Sequence, residues 1–180
     1  MTGLGGFNSG QLVQDGTAIN EFNQTYSAWY EYLSSTNLNP AQLLGNISVH
    51  AGDSMHTYVA YETSNGIIDF YVADNTTGQS QAVEVSGVGT SYYDGSSADY
   101  ITERPIVNGS LTALQKFTSY TTNTDEAETT SGTWIPISSA LYPYKIIMTS
   151  TGTSSGTLLA QPSDLNSAGN SFSMTWYNCS

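Results

Sequence analysis

Apolar and polar residues alternate with a period of two along most of the chain, the spacing of strands with one buried and one exposed face. In YSAWYEYL at 26–33, the alternation places Ser27, Trp29, Glu31 and Leu33 on one face and Tyr26, Ala28, Tyr30 and Tyr32 on the other. No apolar stripe of helical period persists for as much as about ten residues. The pattern predicts strands at 11–14, 24–33, 46–50, 55–63, 67–73, 81–86, 98–104, 111–118, 133–138, 143–149, 157–161 and 171–177. Turn-formers separate them, among them Asn65-Gly66, Thr77-Gly78, Asp94-Gly95, Asn108-Gly109 and Ala168-Gly169-Asn170. Many short strands at this spacing predict an all-β fold, a sandwich or barrel, in a single domain over 1–180.

The segment 121–133, TTNTDEAETTSGT, breaks the alternation: Asp125, Glu126 and Glu128 crowd into it and no large apolar side chain does. It reads as an exposed, solvated loop. A Ca²⁺ loop would alternate oxygen ligands around a Gly turn, and that pattern is absent.

Composition adds an environment. Ser, Thr, Asn and Tyr number 25, 23, 13 and 13, so 74 of the 180 residues are neutral hydroxyl or amide types. Only three residues are Lys or Arg against 15 Asp or Glu, a net charge of −12. Nucleic acid is excluded as a partner, because phosphate binding needs clustered Lys and Arg. Solubility without ionised groups suits low pH, where carboxylates protonate and ordinary numbers of Lys and Arg would leave unbalanced positive charge. An acidic extracellular surface protein would have a similar composition.

Cys179 is the only cysteine, so no internal disulfide forms, and neither a metal site nor a cofactor is expected. No apolar run is long enough to insert in a membrane, and MTGLGGFNSG lacks the regions of a signal peptide. Sequons at Asn23, Asn46, Asn75, Asn108 and Asn178 suit an exported protein whose export signal is not in this sequence.

Three stretches carry candidate chemistry. In YSAWYEYL, one face pairs the indole of Trp29 with the carboxylate of Glu31. In SADYITERP at 97–105, Asp99, Ile101 and Glu103 share a predicted face, with Arg104 and Pro105 at the strand end. In GLGGFNSGQLVQDGT at 3–17, a Gly-rich lead enters a strand with Gln14, then a turn at Asp15-Gly16. Taken alone, Glu103 reads as a surface carboxylate beside a base, and the Gly run as a flexible start without dinucleotide spacing.

Together and in this order, these stretches resemble the glutamic peptidases, the eqolisins. The matching features are GLGG at 3–6, LVQDGT at 12–17, SAWYEYL at 27–33, ISVHAGD at 47–53, ADYITERP at 98–105 and SFSMTW at 171–176. The resemblance implies a concanavalin-like or jelly-roll-like sandwich of two antiparallel sheets, with a peptide cleft on the concave face of one. It implies a catalytic pair, Gln14 and Glu103, and cleft-lining positions for Trp29 and Glu31; Asp99, on the predicted face of Glu103, is a further candidate for binding substrate. In such a pair the glutamate takes a proton from water and delivers it to the leaving nitrogen, while the glutamine amide stabilises the oxyanion. A free glutamate titrates near about 4.3, which sets such chemistry in acid.

Against that family, Ser27 stands at an acidic position and Leu33 at an aromatic one of some fungal members. Strands that would precede GLGG, about a fifth of the expected domain, are missing, leaving sheet edges that favour an amino-terminal light chain or self-association. Met1 or Thr2 stands in place of an aromatic residue. The expectation is an exported acid endopeptidase acting on polypeptides; the alternatives are a β-sandwich module binding carbohydrate or peptide, and a surface-layer domain.

Overall fold

The structure, a computed structural model, describes residues 1–7, 10–20, 25–33, 40–107, 109–140 and 143–179. Asn23 and Asn108, and the first residue of the 24–33 strand, lie outside the described residues. The chain divides into two compact units, Met1–Ile101 and Thr102–Ser180.

The first unit contains β1 (Thr2–Gly5), β2 (Leu12–Asn20), β3 (Thr25–Leu33), β4 (Gln42–Leu43), β5 (Met55–Glu62), β6 (Ile67–Asp74), β7 (Gln79–Val85) and β8 (Ala98–Tyr100). They form two antiparallel sheets, ordered β4-β3-β2-β1-β8 and β5-β6-β7. The inner faces meet where the period-two pattern directs: Val13 packs with Val59, Ile68 and Phe70, and Ala28 with Leu44, Ile47, Val49 and Val72. Tyr30 joins both groups, its ring 4.8 Å from that of Phe70. Each Val, Leu, Ile or Phe among them contributes about 1.5–3 kcal/mol by leaving water. The β5–β6 and β6–β7 hairpins turn at Asn65-Gly66 and Thr77-Gly78, as the dipeptides predict, with Gly66 at φ 68° and Gly78 at φ 77°. In the second hairpin, Asp74 Oδ1 accepts the Thr76 N–H at 2.8 Å and Asp74 Oδ2 the Thr77 hydroxyl at 2.6 Å.

The second unit holds β9 (Ile106–Val107), β10 (Ser110–Leu111), β11 (Tyr120–Thr121), β12 (Glu126–Glu128), β13 (Trp134–Pro136), β14 (Met148–Thr149), β15 (Leu158–Pro162) and β16 (Ser173–Trp176). A sheet ordered β11-β16-β15-β14 covers a core of Leu114, Leu159, Ala160 and Met174. Hairpins β9–β10 and β12–β13 accompany it. One 3₁₀ turn at Ile137–Ser139 is the helical segment among the described residues.

Several expected boundaries move. Residues 46–50 form no strand although Ile47 and Val49 are buried, because side chains rather than a ladder take the backbone N–H groups. Gln81 accepts from Asn46 at 3.1 Å and Gln79 from Ser48 at 2.8 Å. Of 111–118 only Leu111 is strand, Leu114 being turned into the core with its N–H on the Cys179 carbonyl at 2.8 Å. Of 143–149 only Met148 and Thr149 pair. The loop at 121–133 contains a strand instead: Asp125 is buried, accepts the Thr122 hydroxyl, and leads into β12.

Candidate active site

The face of the five-stranded sheet turned away from the core carries the candidate residues of the first unit. Strand register aligns Asp99 (β8) with Gly3 (β1), Gly3 with Gln14 (β2), and Gln14 with Glu31 (β3). One row across four strands thus bears two carboxyls and an amide, with a bare glycine between Asp99 and Gln14. The neighbouring row pairs Gly16 with Trp29. The face assignment for Trp29 and Glu31 read from the alternation therefore holds, with Tyr30 and Ala28 in the core behind them.

Gln14 is the centre of this row. It is 4% exposed, and its Nε2 donates to Glu31 Oε2 at 2.7 Å. That leaves one amide N–H uncommitted, and its buried Oε1 has no hydrogen-bond partner. Trp29, 8% exposed, has a buried indole N–H without a partner. An unmatched acceptor and an unmatched donor on one sheet face cost about 1–3 kcal/mol each unless something else meets them, which marks the place for a polar ligand or ordered water.

The two glycines on this face differ. A Cβ at Gly16 would lie 2.7 Å from the Cβ of Met1, so packing of β1 on β2 demands glycine there. At Gly3 a Cβ would lie 3.4 Å from the Val13 carbonyl oxygen, 3.5 Å from the Gln14 Cβ and 3.9 Å from the Asp99 Cβ, a closer but tolerable fit. Burial pushes the Asp99 carboxyl up to about 6, so it holds its proton at acid pH.

Asp15 corrects the turn expected at Asp15-Gly16. Both residues are extended in the middle of β2, paired with Tyr30 and Trp29. Asp15 faces the core at 0% exposure, and neither carboxyl oxygen makes a hydrogen bond of ordinary geometry. Burial raises it to about 8, outweighing the opposing effects of the amino terminus and the backbone of Tyr71 and Tyr58.

Glu103 also departs from expectation. The β8–β1 ladder ends at two backbone bonds between Met1 and Ile101, each 3.0 Å, so the predicted strand 98–104 stops short of it. Glu103 is exposed and is the second residue of the second unit. Thus the structure brings Gln14, Glu31 and Asp99 into one row with Trp29 beside it, and places Glu103 apart from the strand that was expected to carry it. Elsewhere, Tyr92 and Tyr93 pack against Tyr61, and Trp134 is exposed on β13. His50 lies 3.4 Å from Asp53, and His56 meets Tyr71 ring to ring at 6.0 Å.

Sequence reasoning passed over Gly3, taking GLGG for a flexible start. The available signal was its parity: Gly3 and Gly5 flank Leu4, as in a strand with one bare face.

Residues 1–169 match the Peptidase A4 family, and the chain belongs to that family, the glutamic peptidases. The crystal structure of aspergilloglutamic peptidase from Aspergillus niger is similar, with TM-score 0.76 and 25% identity over 98% of this chain and 96% of that one. Scytalido-glutamic peptidase, solved with a transition state analog inhibitor, shares the β-sandwich fold at TM-score 0.75 and 16% identity, over 98% of this chain and 81% of that one. Compared by sequence with curated proteins, the chain matches none. Family and fold together support a peptidase function, with polypeptide as substrate.

Proposed function

We propose that this chain is an exported acid endopeptidase in which Gln14 and Glu103 form the catalytic pair. The observation that carries the reading is Gln14 itself: buried in the sheet face, held through Nε2 by Glu31, with Oε1 and one N–H uncommitted, in a chain of the glutamic peptidase family. Trp29, Glu31 and Asp99 border the substrate on this reading. The family match runs through both units, which supports treating the chain as one functional domain.

Each step uses a group of this chain. The Glu103 carboxylate removes a proton from water as the oxygen bonds to the scissile carbonyl carbon. The carbonyl oxygen becomes an oxyanion, and the free N–H of Gln14 donates to it while Oε1 accepts from the attacking water. Glu103 then passes its proton to the amide nitrogen, the C–N bond breaks, and the carboxylate is restored. Glutamine does not titrate, so its contribution persists at any pH at which the fold does.

An acidic setting is supported by the scarcity of Lys and Arg and by Asp15 and Asp99, which burial holds protonated in acid. A light chain or a second copy of this chain would cover exposed apolar residues such as Leu43, Ile106 and Ile146. The test is digestion of a denatured protein from about pH 2 to neutrality with an aspartic-protease inhibitor present, using the wild type and Glu103→Gln. Inhibitor-resistant acid cleavage that disappears in Glu103→Gln is expected. Cleavage by a folded Glu103→Gln refutes the role, and saturable peptide binding without cleavage by the wild type turns the reading to a binding module.

A further inference from the structure

β4 covers only part of the edge of β3. Their ladder pairs Trp29 with Leu43 and Tyr30 with Gln42, and the chain leaves β3 once Leu44 has donated its N–H to the Ala28 carbonyl at 2.9 Å. That bond turns the main-chain groups of Ala28 away from β2, and those of Tyr26, two residues along the same strand, face the same way. β4 does not reach as far as Tyr26.

The chain that leaves β3 supplies a second wall. The side chains of Gln81, Gln79 and Asp53 accept the N–H groups of Asn46, Ser48 and His50 at 3.1, 2.8 and 2.6 Å. Successive main-chain groups of extended chain point to opposite sides, so Val49, between Ser48 and His50, turns its N–H and C=O the other way. Among the described residues nothing takes the Val49 N–H. A groove of about 500 Å³ lies between Tyr26 and Val49, with Thr25, Ser48 and Ala51 also on its walls. That volume falls in the range of about 300–1,000 Å³ usual for ligand sites.

The chemistry offered here is main-chain donors and acceptors on two sides, which an extended peptide matches with its own backbone. The groove also continues the candidate site, because Tyr26 stands on the strand that bears Glu31 and Trp29. It is five residues from Glu31, or about 16 Å at the usual rise per residue, so a polypeptide held at the site reaches it with about five further extended residues.

We infer that this groove is a second docking site for the substrate polypeptide, in which an extended stretch away from the scissile bond lies as an added strand between Tyr26 and Val49. Pairing through the main chain selects unfolded polypeptide rather than a particular side chain. The inference rests on the peptidase reading for the identity of the occupant, and on the short β4 ladder and the 46–50 segment for its geometry.

Ala51 is exposed on the groove wall, and Ala51→Trp fills the space. Tyr26→Pro deletes one donor at a position where the β2–β3 ladder does not use it. In acid cleavage of a denatured protein, both variants, each confirmed as folded, are expected to raise KM at least about fivefold with kcat within about twofold of wild type. For a peptide of about six residues, too short to reach the groove, KM should stay within about twofold. An unchanged KM for the denatured protein overturns the inference, as does an equal rise for the short peptide. Hydrogen exchange gives a readout without catalysis: in a short pulse, the Tyr26 and Val49 amides should exchange fast in the free protein and slowly with excess unfolded polypeptide. Slow exchange in the free protein, the sign of a groove filled by this chain or by a second copy, overturns the inference, and so does exchange that the polypeptide leaves unchanged. If the wild type cleaves nothing, the peptidase reading falls while the exchange still decides the docking site.

Discussion

Replacing Asp15 by asparagine should convert a protein that weakens as pH rises into one that is far less sensitive to pH. Asp15 sits at 0% exposure in the inter-sheet core, beside Val13 on its own strand and opposite Tyr30, with its carboxyl raised from 3.8 to about 8 by burial. Below 3.8 both folded and unfolded chains hold the proton, and the full stability is present. Between 3.8 and about 8 the unfolded chain releases the proton and the folded one does not, so stability falls as pH rises. The slope is at most about 1.4 kcal/mol per pH unit, and the loss approaches about 4 kcal/mol by neutrality. Against a total of about 5–15 kcal/mol for a typical domain, that is a large share. The amide introduced by Asp15→Asn cannot ionise, so urea unfolding at steps from about pH 3 to about pH 8 should show the two proteins similar in acid and diverging steadily above about pH 4. Asp69, Asp99 and Asp125 also have raised values, burial being the main cause in each, but they are common to both proteins and cancel in the difference. Parallel stability curves for the two proteins would refute the reasoning, showing that Asp15 is charged or hydrated in the folded state.

Other perturbations follow from the same structure. Phe70→Ala empties the centre of the inter-sheet core against Tyr30 and should cost about 3–5 kcal/mol in urea unfolding at acid pH. Gly66→Ala forces a side chain onto φ 68° and to 2.7 Å from the backbone carbon of Gly89, and should lower the thermal midpoint markedly, whereas alanine at the open Gly78 turn should lower it less. Glu31→Ala leaves the buried Gln14 amide nitrogen without its acceptor and is expected to reduce kcat by about tenfold or more and to cost about 1–3 kcal/mol in urea unfolding.

How far the sequence discloses this molecule depends on the kind of signal each residue sends. The faces of β3 are legible because Trp29 and Glu31 alternate strictly with Ala28 and Tyr30, and a one-residue slip would exchange core for surface. Residues 46–50 mislead because burial at every second position is a property of extended chain, whereas a strand also needs a ladder, and here Gln79 and Gln81 take that place. Asp15-Gly16 spells a turn by composition, yet the nine-pair register with β3 runs straight through it. A carboxyl buried in the inter-sheet core contradicts every local preference for aspartate, so only tertiary structure shows it. Gln14 and Asp99 are visible in the sequence as separate motifs; that they flank a bare Gly3 is a matter of register between strands almost a hundred residues apart in the chain.

The most direct test of the central claim is a double-mutant cycle on the acid cleavage rate with Gln14→Ala, Glu103→Gln and the two combined, each confirmed as folded. If Gln14 and Glu103 act as one unit, each single variant loses nearly all of kcat and the combination loses scarcely more. Losses that multiply, or a Gln14→Ala that retains wild-type kcat, would contradict a catalytic pair made of these two residues.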